Sequence, residues 1–135
     1  MYKKILAGLG GALALNILHE IVRKNFENVP HINEVGEEAL TKITDKTNID
    51  LSDKDHIYAA TLAGDIIGNG LYYASTATTH DVTSGLLMGI ATVALPKTLG
   101  LDDKPVAENN QIKAMTIGYY VFGALITKFI YDKIK

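Results

Sequence analysis

Four stretches of the chain, residues 5–18, 57–79, 82–95 and 114–127, carry almost no charge, and none shows a polar face. A helix in water needs such a face, repeating every 3.6 residues. "ILAGLGGALALNIL" offers nothing polar before Asn16, and "AMTIGYYVFGALIT" offers only threonines and tyrosines. Four helices of this kind cannot all hide inside a bundle made from 135 residues, because one side of each meets its surroundings. Lipid accepts that side and water does not. The expected fold is therefore all-α, an integral membrane four-helix bundle.

Averages alone do not separate the two solvents. Hydrophobic residues make up 47% and charged residues 21% of the chain, and the mean hydropathy is +0.12. The distribution carries the argument, since charge gathers at both ends and in two connecting stretches, 23–55 and 97–113. Three of the four apolar stretches, counted strictly, have the length of a buried core helix. Each extends further, the first through His19 and Glu20 to Val22, the third past Lys97 to Leu101 and the fourth past Lys128 to Tyr131, because helix-end lysines snorkel and bilayers thin around short spans. This gives one four-span transmembrane domain over residues 1–135, with spans at about 4–24, 55–77, 82–100 and 111–132. The first stretch has the basic start and Ala12-Leu13-Ala14 of a secretory signal, but three glycines thin its apolar run, and it reads as the first span.

An even number of spans puts both termini on one side. Lys3 and Lys4 at one end, with Lys128, Lys133 and Lys135 at the other, assign that side to the cytoplasm of a multi-pass inner-membrane protein. The long first loop then faces outward. Within it Val29-Pro30-His31 reads as a turn, and Ile32, Val35, Ala39, Leu40 and Ile43 recur at helical spacing. They predict a short amphipathic helix on the membrane surface or over the bundle. Ser52 with Asp55 makes a capping-box pattern for the second span, Asp81 is a candidate cap for the third, and Asn109 or Asn110 for the fourth.

Small residues recur four apart at Ala60-Gly64-Gly68, Gly85-Gly89, Ala7-Gly11 and Gly8-Ala12. Close backbone approach holds helices together in lipid, so these stripes are expected to pack the bundle, or to offer a face for a homodimer.

Inside the second apolar stretch lies "LAGDIIGNGLYY", with Asp65 and Asn69 one turn apart. A carboxylate at that depth faces the bundle interior or water, or it holds a proton. At 1.5 Å per residue Asp65 lies about 12 Å in from Ile57, and Asn16, in the first span, reaches a similar level. Tyr119 or Tyr120 falls near the same depth in the fourth span. His19, Glu20 and Arg23 lie just above, and Lys97, after the Pro96 break, approaches that height. Asn16, His19, Glu20, Asp65, Asn69, Tyr119 and Lys97 are therefore the candidate lining of an outward-facing polar cavity. Hydrogen-bonded glue between helices is the plainer role for the same residues.

Other chemistry finds little footing. "HEIVR" at 19–23 begins like a zincin helix, but Arg23 stands where the second histidine belongs, so no metal is assigned. The chain has no cysteine, no serine in a nucleophile elbow and no phosphate-binding glycine loop. No cofactor is implied, and a net charge of −2 gives no basic face for nucleic acid. A dimeric protein that moves a small solute or ion together with protons is the favoured reading. A non-catalytic scaffold subunit of a membrane complex, and an intramembrane lipid-modifying enzyme using His19, Glu20 and Asp65, are the alternatives.

Overall fold

The computed structural model describes residues 1–46 and 54–135, which form six helices and no strand. Four are long: α1 (Tyr2–Asn25), α3 (Lys54–Thr76), α4 (Asp81–Thr98) and α6 (Asn110–Ile134). Two more, α2 (Ile32–Lys46) and the single turn α5 (Lys104–Ala107), lie in the connections. The principal packing runs α3 against α1, α1 against α6, and α6 against α4. Direct packing between α3 and α4 is slight, so this side of the bundle is left ajar.

Local chemistry explains the helix ends. Asn109, in extended backbone, accepts from the Ile112 N–H at 3.0 Å and caps α6. Asp81 does not cap α4: the cap position is His80, and Asp81 sits in the first turn, where its carboxylate accepts from the Val82 N–H. The bend before α2 falls earlier than Val29-Pro30-His31. It is made at Asn28, the residue type that tolerates the left-handed φ of 57° found there. Val29 and Pro30 then run on buried, and the His31 N–H donates to the Pro105 carbonyl. The capping box expected at Ser52 lies outside the described residues.

α2 lies across one end of the bundle, packed mainly on α3. Lys42 donates to the Gly100 carbonyl and Glu38 accepts from the Asp102 N–H, which tie α2 to the connection after α4.

The small-residue stripes divide into two kinds. A Cβ on Gly85 would stand 2.5 Å from the Val121 Cα, and one on Gly89 2.7 Å from the Ile117 Cα, so α4 and α6 meet backbone to backbone. Gly8 packs in the same way on the Gly70 carbonyl and Ala74, and Gly11 on Gly123 and Thr127. Ala60-Gly64-Gly68 does not hold the bundle together. Gly64 and Gly68 meet no atom within 4 Å and face outward, while Gly70, Tyr73 and Ala74 form the buried side of α3. A four-residue spacing marks a face without saying which face turns inward.

Polarity is distributed inside out. The interior holds Tyr73, Tyr119, Tyr120, Thr116, Thr127, Ser84 and His19 among small apolar residues. The exterior carries Leu6, Leu13, Ile17 and Ile21 on α1, Ile67 and Leu71 on α3, Leu86, Leu87 and Ile90 on α4, and Phe122, Leu125 and Phe129 on α6. Two helices, α1 and α6, are long and apolar enough to cross a membrane.

Candidate functional site

Asp65 stands on the inner side of α3, where Asn69 follows it one turn on. Asn16, His19, Glu20, Asp65 and Asn69 line one small chamber together with Asn33 of α2 and Tyr120 of α6. Its free volume, about 10 Å³, fits one water-sized particle. Tyr119 is set to the side, edge-on to His19 with ring centroids 6.0 Å apart, and its buried hydroxyl has no hydrogen-bond partner among the described residues. Lys97 is exposed near the end of α4 and lines no part of the chamber.

Three polar side chains of α1 are already occupied. Asn16 turns its amide N–H₂ onto the Ala12 carbonyl at 2.9 Å, which leaves its carbonyl oxygen as a free acceptor. Glu20 is held by Arg23 through contacts of 2.6 and 3.3 Å, with Lys24 3.8 Å away, and it also hydrogen-bonds Tyr58 of α3. Its charge is therefore balanced on α1 itself. His19, 4% exposed, accepts the Ile32 N–H on Nε2 at 2.9 Å. An accepting Nε2 places the proton of the neutral imidazole on Nδ1. His19 thus caps the first turn of α2 and pins the connecting strap to the bundle.

That bond yields a direct expectation. His19→Ala leaves the Ile32 donor without a partner, at a cost of about 1–3 kcal/mol. Backbone hydrogen exchange at residues 31–35 should quicken by roughly 5- to 150-fold while α6 keeps its protection. Unchanged exchange in α2 would show that the imidazole does not anchor it.

Asp65 has no such balance. Among the described residues it takes part in no ion pair and no hydrogen bond, and the nearby charge on α2, Glu37, is also negative. Glu37 is fixed by the Asn33 amide at 2.6 Å, and the other atom of that amide, Oδ1, is buried without a partner. Gly36 lets α2 approach: a Cβ there would lie 2.7 Å from the Thr61 methyl and 3.8 Å from an Asp65 carboxylate oxygen.

On its other side Asp65 borders a second space, a cleft of about 220 Å³ between α2, α3 and α4. Val35, Met88, Ala91, Leu95, Pro96 and Leu99 make its walls, with Thr92 and Tyr120 as neutral polar groups. Asp65 and Tyr120 belong to both spaces, and they separate the polar chamber from the apolar cleft. The Tyr120 phenol lies beside Thr92 of α4 and Asn69 of α3, next to the carboxylate. Lower down, the Tyr73 hydroxyl donates to the Tyr120 carbonyl at 2.7 Å, and the Tyr72 hydroxyl to the Ser84 carbonyl at 2.6 Å. These bonds close the bundle beneath the cleft.

The sequence did not single out Asn33 and Gly36, because the periodicity of α2 marks an apolar face without naming what it packs on. Among the described residues no group of three or more His, Asp or Glu side chains is placed to share a metal ion. No protein-family model, curated protein or solved structure matches the chain.

Proposed function

We propose that this chain is a four-span integral membrane protein with both termini in the cytoplasm, whose interior carboxylate, Asp65, exchanges protons while a small solute is bound and moved. What carries the proposal is Asp65 itself: a carboxylate between a polar chamber and an open cleft, with no cation to balance it. A purely structural acid is expected to have a partner, as Glu20 has in Arg23. The inside-out distribution of polarity supports lipid as the surrounding solvent, since soluble monomers rarely expose contiguous apolar faces of this extent. The outward stripe of Ala60, Gly64 and Gly68 favours a dimer of such bundles, because small residues let backbones approach in lipid.

Membranes carrying the protein test the reading. The chain is expected to stay with the bilayer through alkaline carbonate washing. A hydrophobic carbodiimide, which modifies carboxyls that hold a proton, is expected to label Asp65 and spare the paired Glu20, as read by peptide mass spectrometry. Release by carbonate, or labelling of Glu20 with Asp65 untouched, would contradict it.

A further inference from the structure

We infer that the cleft beside Asp65 is a binding site for a monovalent organic cation with an apolar body, which takes the place of a proton on that carboxylate. The inference rests on the membrane reading above and adds the ligand class. Charge complementarity carries it. Among the described residues Asp65 is the one ionisable group, apart from the Tyr120 phenol, in a wall whose other side chains are apolar except for Thr92, and Glu37 adds negative potential from α2. An anion is repelled there. A hydrated inorganic ion loses its water against leucine and valine, with nothing to replace it. An acyl chain fits the walls but leaves the carboxylate unbalanced.

An alkylammonium group satisfies both parts of the cleft. Its charge meets Asp65 beside Tyr120, and its body covers Met88, Leu95 and Leu99. The volume of about 220 Å³ suits a small cation of this type.

The exchange balances simply. A protonated Asp65 releases one proton as the cation enters, and the carboxylate and cation leave the interior neutral. The titratable and charged groups facing Asp65 are His19 and Glu20 of α1, Glu37 of α2 and Tyr120 of α6; α4 supplies none to the cleft. Because Glu20 is paired with Arg23 and His19 accepts the Ile32 N–H, Asp65 is the group left to exchange.

Titration calorimetry on the full chain in detergent, with benzyltrimethylammonium as probe, tests this. Saturable binding is expected. Runs in buffers of different ionisation enthalpy should show close to one proton released per cation at an acidic pH where free Asp65 holds its proton, and fewer as the pH rises and the free carboxylate ionises. Asp65→Asn should weaken binding by at least about 100-fold, as loss of one partner of a desolvated charge pair does. Ala91→Trp, which fills the cleft without touching the carboxylate, should abolish it and guards against misfolding of the first variant. Neopentylbenzene, the uncharged carbon analogue, should not compete. A chain that is helical and inserts into vesicles yet binds no cation, or binds it equally with Asn at 65, overturns this inference alone. Competition by the neutral analogue identifies the cleft as an acyl-chain site and overturns it as well. A chain that fails to insert overturns the membrane reading beneath it.

Discussion

Asp65→Asn is expected to abolish pH-gradient-driven accumulation of benzyltrimethylammonium in proteoliposomes, while the purified protein melts within about 2 °C of the unaltered chain. Both halves follow from the same geometry. Among the described residues the carboxylate makes no hydrogen bond and no ion pair, so the isosteric amide removes no such bond between the helices. It does remove the one exchangeable proton between chamber and cleft, and loss of a charge at a desolvated site is worth on the order of 3 kcal/mol or more. A flux reduced by roughly 100-fold or to background is the expected reading. If flux persists, Asp65 is not the coupling group. If instead the variant fails to assemble, the acid is packing glue and the transport reading loses its basis.

The second large effect concerns the glycines. Gly85→Val puts a side chain where the α6 backbone already stands, 2.5 Å from the Val121 Cα and 2.9 Å from the Tyr120 carbonyl oxygen. Backbone cannot rotate aside as a flexible side chain can, so α4 must separate from α6. Overpacking of this kind costs about 1–3 kcal/mol or more, a fall in melting temperature on the order of 10 °C. A Cβ at Gly68 would meet no atom within 4 Å, so Gly68→Leu points into open space and should leave melting unchanged to within about 2 °C. Any dimer seated on that stripe should nevertheless come apart, as cross-linking in vesicles would read. Equal destabilisation by both changes would mean that α3 turns its small residues inward.

The four long helices were legible because each coincides with a run that excludes charge, and such runs end where charged residues and caps begin. Asn109 is legible for the same reason, since a residue with a short acceptor before "QIKAM" satisfies an N–H of the first turn. Helix order was not. Nothing in "LAGDIIGNG" says that Gly70, and not Gly64 or Gly68, meets α1, because a single span offers small residues on several faces. Depth arithmetic brought Asn16, Asp65 and a tyrosine to one level, but rise per residue carries no angular information. It therefore did not separate Tyr120, which borders both spaces, from Tyr119, which meets His19 edge-on. Lys97 turns away from both spaces, being exposed beyond Pro96. His19 shows the opposite lesson. Its place beside Glu20 suggested chemistry, whereas its ring closes a gap that sequence does not reveal, the bare N–H of Ile32 thirteen residues away.

All of this depends on what bathes the outward leucines, isoleucines and phenylalanines. The chain has no native cysteine, so single cysteines for spin labels can be placed at will. Labels at Leu13, Ile67, Leu86 and Leu125 of the vesicle-reconstituted protein are expected to collide readily with oxygen and hardly at all with a water-soluble nickel chelate. Labels at those four sites that meet the chelate as freely as one at Lys104 would place the helices in water and contradict the account.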